Sequence, residues 1–379
     1  MKEKYSVLIP DGDSDLLIVV IHCLSQNKGY KLFVVLSEKH KNKEITHSKY
    51  INEIFVTEPL NESNEIEWIK NLNTIAEKHH IDIIMPIDVF AIRCLLKNRT
   101  YIKDPDKLGL LPPLKSFDKA DHKGELSKLL LDIDLPAPET LLFDKNEICE
   151  QTPSFGFPVI MKLFEGHIGG GSGIQVFNNS ESLNLFFKNN TVVGPYLIQK
   201  YIKGYDIDCS VLCKDGDILA FTIQKGTMKG VSDFVPQVGV EFLFEKDVYE
   251  VVKKLMKSLN WSGVAHVDMR FDITDKKFKV IEINPRFWGS IDASLIAGVD
   301  FTYFYCIASK GIVFEIPKYN HVKYLNLLGL KRTIKQNKWF LFNLKFLLNN
   351  TPLKFFIKDP KPFFYILYSK LKKDLQNNH

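Results

Sequence analysis

Apolar and polar residues alternate through two short segments, Gly263 to Phe271 and Phe278 to Ile283, on either side of the polar Asp272, Thr274, Asp275, Lys276 and Lys277. A period of two sends successive side chains to opposite faces of a strand, so this stretch reads as a β-hairpin. Asp268 follows His266 at that period on the first strand, and Glu282 and Asn284 share a face of the second. Three oxygen-bearing side chains thus converge at adjacent strand ends, and Arg286 follows two residues after Asn284.

The upstream chain has a different rhythm. Tyr5 to Pro10, Lys31 to Leu36, Ile54 to Val56 and Ile81 to Ile87 are short apolar runs, whereas Asp15 to Ser25 and Glu65 to His79 carry helical spacing. Alternation of strand and helix predicts a doubly wound parallel sheet over residues 1–114. The first turn, PDGDSD, lacks GxGxxG, so no dinucleotide is expected there. Asp88 sits at a strand's carboxyl end, where open α/β sheets bind ligands, and equally fits a helix N-cap.

From residue 115 the pattern becomes mixed. Asp118 is placed to cap a helix running through Leu131, with Lys119 and Lys123 on one face, and Leu135 to Pro138 ends it. Strand Pro158 to Leu163 carries Lys162, and a loop holding Gly166, Gly169, Gly170, Gly171 and Gly173 joins it to a strand from Ile174 to Phe177. After a helix from Glu181 to Phe187, the strand Tyr196 to Gln199 continues through Lys200, Tyr201 and Ile202. The chain turns at Gly204 and re-enters a strand with Asp206 and Asp208 on one face. Residues 311–379 mix lysines with Phe, Tyr, Trp and Leu at broadly helical spacing.

Composition narrows the class. With 379 residues, 45% hydrophobic and 25% charged, the chain reads as an ordinary globular protein of two or three domains. The N-terminal MKEKYSVLIPDGDSD turns acidic where a signal peptide would run apolar, and no apolar run approaches the ~20 residues of a membrane span, so a cytoplasmic location is expected. Six scattered cysteines include no CxxC pair, and Cys209 and Cys213 fall on one face of a strand, so buried free thiols are expected. Residues 311–379 hold 13 Lys/Arg against 3 Asp/Glu, a balance of +10, leaving 37 against 42, or −5, for residues 1–310. The basic excess belongs to the tail. A basic amphipathic face can contact an anionic membrane or a partner; the alternative is that these helices pack on the rest of the protein.

Two carboxylates and an amide are hard oxygen ligands that suit Mg²⁺, and a neighbouring Arg suits a phosphate. Glycines let backbone N–H groups approach an anion, and a strand lysine adds a point charge. The glycine spacing is not GxxxxGK[ST] and the loop joins two strands, which excludes a Walker P-loop.

A helix with lysines, a strand lysine, a Gly-rich flap, a hinge followed by an acid, then D…ExN with an Arg: that order, over about residues 1–310, resembles the ATP-grasp superfamily of carboxylate-amine ligases. VIEINPRFWGS is its most specific part. The resemblance implies an α/β and α+β architecture: a doubly wound pre-ATP-grasp domain over 1–114, an ATP-grasp fold over 115–310 and a helical basic extension over 311–379. Within the ATP-grasp fold it implies a flap subdomain over about 140–200 and a metal-binding subdomain over about 201–310. It further implies that Lys123 and Lys162 bind phosphates under a flap containing Gly169, Gly170 and Gly171. Gln199, Lys200, Tyr201 and Ile202 would form the adenine hinge and Asp206 would meet the ribose. Asp268, Glu282 and Asn284 would hold Mg²⁺, with Mn²⁺ as substitute, and Arg286, with Lys162, would act on the transferred phosphate. Gln199 and Asp206 stand where the family commonly has Glu, and His266 where several members have Arg or Asn.

The implied reaction phosphorylates a carboxylate with ATP and joins the acyl phosphate to an amine, with an amino acid or a sugar acid as the carboxylate substrate. No nucleic acid is implied as a partner; a homodimer and peripheral membrane contact through the tail are the further partner expectations. Other readings are a kinase or carboxylase of the same fold, or a non-catalytic nucleotide-binding or membrane-interaction protein, which the full set of metal ligands and lysines opposes.

Overall fold

The N-terminal signals resolve into β1 (Ser6–Ile9), α1 (Leu17–Leu24), β2 (Lys31–Ser37), β3 (Ile51–Thr57), α2 (Glu65–Lys78), β4 (Ile83–Ile84) and α3 (Val89–Lys97). These and the elements below come from a computed structural model that describes residues 4–144, 153–163, 174–190, 194–230, 234–365 and Tyr368. The strands form a parallel sheet in the order β3-β2-β1-β4. Val7 and Ile9 pack on the side of α1, and Leu8 packs on the side of α2 and α3, so both faces are covered as a doubly wound sheet requires. The last strand is shorter than the apolar run Ile81 to Ile87. Beyond its two-residue ladder, the amides of Ile87 and Asp88 donate to the Asp11 carboxylate (2.9 and 2.6 Å), which takes them out of strand pairing.

The helix expected from Asp118 to Leu131 is two helices, α4 (Leu114–Asp121) and α5 (Lys123–Asp132). His122 is extended between them, and its Nδ1 accepts from the Glu125 amide at 3.2 Å, so His122 and not Asp118 is the cap. Asp118 lies inside α4 and, with Asp121, pairs with Arg93. Lys119 and Lys123 consequently belong to different helices.

Next come β5 (Thr140–Phe143), β6 (Val159–Leu163), β7 (Gln175–Phe177), α6 (Ser180–Asn189) and β8 (Tyr196–Lys200). Their antiparallel sheet runs β5-β8-β6-β7. Val159, Met161, Tyr196 and Ile198 share a core with Phe177 and Leu183, which leaves Ile160, Lys162 and Gln199 for the opposite face. The glycines Gly166, Gly169, Gly170, Gly171 and Gly173 lie outside the described residues.

The largest sheet is built from β9 (Gly204–Lys214), β10 (Asp217–Met228), β11 (Gly239–Phe242), β12 (Gly263–Asp272), β13 (Lys277–Asn284) and β14 (Lys323–Leu325). Helices α7 (Lys246–Ser258), α8 (Ile291–Ala297) and α9 (Phe301–Ser309) complete this part. The sheet is antiparallel throughout, in the order β13-β12-β9-β10-β11-β14. Its apolar face, with Cys209, Val211, Cys213, Ala265, Val267 and Met269, is buried under α4, α5 and α7. Both cysteines are free thiols there, as their period-two spacing predicts. Gly204 marks the entry to β9 because the backbone passes too close for a side chain: a Cβ there would lie 1.7 Å from the Phe271 carbonyl oxygen.

The tail is largely helical, with α10 (Leu327–Gln336), a 3₁₀ turn Lys338–Phe342, α11 (Leu344–Asn349) and α12 (Leu353–Lys358). It is also tied in. Its β14 pairs with β11, Phe355 is buried and stacked on His22 (5.4 Å), and the Asp359 carboxylate accepts from Ser48. Among the described residues no single helix is long and apolar enough to cross a membrane.

Candidate active site

Strand register assembles the polar face. Gln224 pairs with Asp208, Asp208 with Asp268, and Asp268 with Glu282, so one transverse row across β10, β9, β12 and β13 carries an amide and three carboxylates. The adjacent row on the same face holds Thr222, Ser210, His266 and Asn284. Both rows follow from period two combined with antiparallel pairing, which aligns side chains across strands whose sequence positions are unrelated.

A cavity of about 1060 Å³ lies over these rows. It is lined by the polar sheet face, by Lys162, Gln199 and Lys200 of the smaller sheet, by Tyr201 and Ile202 between the sheets, by Lys123 at the start of α5, and by Asp11, Ser14 and Asp88 at the carboxyl ends of the parallel strands. All described members of the expected site therefore face one space. Asp88 is both cap and cavity residue: its carboxylate accepts from the Val89 amide (2.8 Å) and Ser14 Oγ (2.6 Å) and lies 3.4 Å from Arg286 Nε. Arg286 also donates to the Phe287 carbonyl at 2.8 Å, so it bridges the polar hairpin and the N-terminal sheet.

Asp268 uses its two oxygens in two directions. Oδ1 is 3.1 Å from His266 Nε2, and Oδ2 accepts from Asn284 Nδ2 at 3.1 Å. Burial opposes its charge, but the hydrogen bond and charge of His266, with bonds from Glu282 and Asn284, hold its carboxyl below the usual range. Glu282 moves the other way, pushed up by burial and then by the Asp268 charge, with Lys162 and Lys123 pulling back. Asp208 is pushed up to about 7 by burial and by Asp268. Of the three carboxylates, the central one is the most firmly ionised because it alone bonds the imidazole.

Lys162 is buried, 5% exposed, and burial lowers its pKa against the attraction of Glu282. Burial also lowers His266, but Asp268 outweighs it and the imidazole ends above its ordinary value. Gln199 is buried and donates through Nε2 to Thr140 Oγ1 at 3.1 Å, which leaves its carbonyl as an acceptor. Lys200 pairs with Glu139 at 2.8 Å. Asp206 is more occupied than its position suggests: Arg270 pairs with one oxygen and Gln237 Nε2 donates to the other at 2.6 Å.

Several cavity residues have no role in the sequence reading. Asp208 shares its face with Asp206, a signal visible at period two. Gln224 and Gln237 carry no such signal, since only the pairing of β10 and the approach of the segment before β11 bring them in. Trp288 stacks on His266 (5.5 Å, 14°), and both its Nε1 and Gln224 Oε1 are buried without a partner among the described residues.

Residues 120–290 match the ATP-grasp domain family. The chain is 23% identical over 279 residues to the carbamoyl phosphate synthase large chain of Clostridium perfringens, covering 70% of this chain and 25% of that one. It thus spans about a quarter of the length of this curated relative. Among solved structures, N5-carboxyaminoimidazole synthetase from Staphylococcus aureus, complexed with ADP, superposes with a TM-score of 0.66 at 16% identity, over 89% of this chain and 86% of that one. The biotin carboxylase domain dimer of the Hydrogenobacter thermophilus 2-oxoglutarate carboxylase, in complex with MgADP, ADP and bicarbonate, gives 0.61 at 17%, over 84% and 71%. L-amino acid ligase from Bacillus licheniformis gives 0.60 at 15%, over 84% and 75%.

Proposed function

We propose that this chain, whose residues 120–290 form an ATP-grasp domain, is an ADP-forming ligase that phosphorylates a carboxylate and joins the acyl phosphate to an amine. The observation that carries the reading is the convergence of Lys123, Lys162 and Arg286 with Asp268, Glu282 and Asn284 in one cavity. A carboxylate resists attack because it is charged and oxide is a poor leaving group; phosphorylation removes both obstacles. Phosphoryl transfer asks the protein for position and charge compensation, which this set supplies without a nucleophile.

Asp268, Glu282 and Asn284 offer only oxygen donors from adjacent strands, a set that fits Mg²⁺, with Mn²⁺ as substitute. Magnesium held there would neutralise charge on the phosphates. Lys162 has the role of a buried cation whose attraction to Glu282 passes to phosphate oxygens. The free carbonyl of Gln199 would accept from the adenine amino group. Asp206 would meet the ribose while keeping Arg270 and Gln237. Arg286, anchored by Asp88, would hold the transferred phosphoryl group against the substrate bound by the N-terminal sheet.

The carboxylate is an amino acid or sugar acid in this reading. The likeness to two carboxylating proteins, one of them complexed with bicarbonate, favours a second reading in which bicarbonate is the group phosphorylated. Peripheral contact with an anionic surface would fall to Trp339, Phe342 and Leu344, which are exposed near Lys335, Lys338 and Lys345. An ADP-release screen over paired carboxylates and amines, with bicarbonate as one arm, tests the proposal. The active pair should yield a hydroxamate when hydroxylamine replaces the amine, and oxygen-18 should pass from the carboxylate to phosphate. AMP and pyrophosphate as products would overturn it, and ADP release that requires only bicarbonate would move the assignment to the second reading.

A further inference from the structure

We propose a second cation site beside the oxygen set, formed by Asp208, His266 and Asp268 and suited to a first-row transition dication such as Mn²⁺, Co²⁺ or Zn²⁺. One donor atom from each of these residues lies within 4.8 Å of the other two. His266 Nε2 is 3.1 Å from Asp268 Oδ1 and 4.0 Å from Asp208 Oδ2. An ion about 2.0–2.2 Å from each ligand keeps neighbouring donors about 3–4 Å apart, so a small carboxylate rotation closes the set.

Three further contacts have the form of support around a metal ligand. His266 Nδ1 is 2.8 Å from Ser210 Oγ; with Nδ1 protonated and donating, Nε2 keeps a lone pair directed at the two carboxylates. Trp288 stacks on the ring and fixes its plane. Gln224 Nε2 donates to Asp208 Oδ2 at 3.3 Å, while its buried Oε1, in a residue 3% exposed, has no partner among the described residues. That unsatisfied oxygen beside Asp208 is a cost that a cation or a water bound to it would remove.

The imidazole decides which metal. Mg²⁺ takes oxygen ligands, whereas one nitrogen with two carboxylates favours the later divalent ions. Asp268 would bridge: Oδ1 faces this site, and Oδ2 faces Asn284 and the oxygen set. The two sites are thereby expected to differ in metal preference within one cavity, whichever carboxylate the protein phosphorylates.

The test uses the full chain, freed of nucleotide and metal, titrated with Co²⁺. The visible d–d band reports nitrogen and oxygen ligation, and calorimetry gives stoichiometry. Wild type should develop the band; His266→Gln and Asp208→Asn should lose it; Glu282→Gln should keep it; Ser210→Ala should bind about tenfold more weakly, the loss typical of an outer partner. Circular dichroism checks that each variant is folded. If His266→Gln does not fold, substoichiometric Mn²⁺ added to the Glu282→Gln variant, whose oxygen set has lost a carboxylate, should still broaden the His266 ring resonances. A wild type without the band, a folded His266→Gln variant with undiminished affinity, or unbroadened His266 resonances would each overturn the proposal and leave an imidazolium held between two carboxylates.

Discussion

Asp208→Asn should make the metal-free protein more stable in mild alkali, and the gain should vanish in acid. Asp208 is a carboxyl pushed from its ordinary 3.8 up to about 7 by burial and by the neighbouring Asp268 charge. A folded-state pKa above the unfolded one means the unfolded chain ionises first, so stability falls as pH rises. Below about pH 4 both states hold the proton and no penalty exists; it grows between about pH 4 and 7 and is complete above 7, where it reaches at most about 4 kcal/mol. Asparagine keeps the shape and an acceptor for Gln224 while removing the charge. The value of about 7 already contains the attraction of His266, 4.0 Å from Asp208, so the expected gain is this net penalty, roughly 2–4 kcal/mol. Urea unfolding with a chelator present, at about pH 4 and about pH 8, measures both ends of the window. A variant less stable than wild type at both, or a difference that does not change with pH, would refute the assignment of a penalised carboxyl to this position.

Three other perturbations separate roles within the cavity. Glu282→Gln removes a carboxylate that burial and then the Asp268 charge disfavour, so the fold should persist by circular dichroism while ADP release falls about 10²–10³-fold, the loss typical of one group that stabilises developing charge. Lys162→Met fills the same buried space without a cation; ATP binding by calorimetry should weaken by about 1.5–3 kcal/mol, the worth of a hydrogen bond to a charged group, with thermal stability near that of wild type. Gly204→Ala would place a Cβ 1.7 Å from the Phe271 carbonyl, forcing β9 away from β12; a loss of about 2 kcal/mol or more is expected from thermal melting, and an unchanged melting temperature would contradict the close approach.

The hairpin from Gly263 to Asn284 is legible in the chain because its two faces differ sharply in polarity, except for the irregularity at Ile281, where pairing shifts from Asp268–Glu282 to Met269–Val280. The N-terminal sheet is legible in the same way, where apolar runs and amphipathic helices alternate; Lys123, Lys162, Gln199, Asp206, Asp268, Glu282, Asn284 and Arg286 line one cavity, and the roles given to them rest on resemblance. Local signals failed where a single residue chose between two backbones: His122 splits a run of helix-forming residues by capping the second helix with its own ring. The partners also escaped local reading. Gln224 and Gln237 lie far along the chain from the hairpin, and only the order β13-β12-β9-β10 and the segment before β11 bring them to it; Asp88 is legible as a strand-end residue, but its pairing with Arg286 comes from the packing of the N-terminal sheet. Charge state was settled at the same level, since Asp208 and Asp268 are the same residue type. Burial pushes both up; Asp268 is held down because His266 Nε2 lies 3.1 Å from it, whereas Asp208, 4.0 Å from that nitrogen, stays raised by burial and by the Asp268 charge.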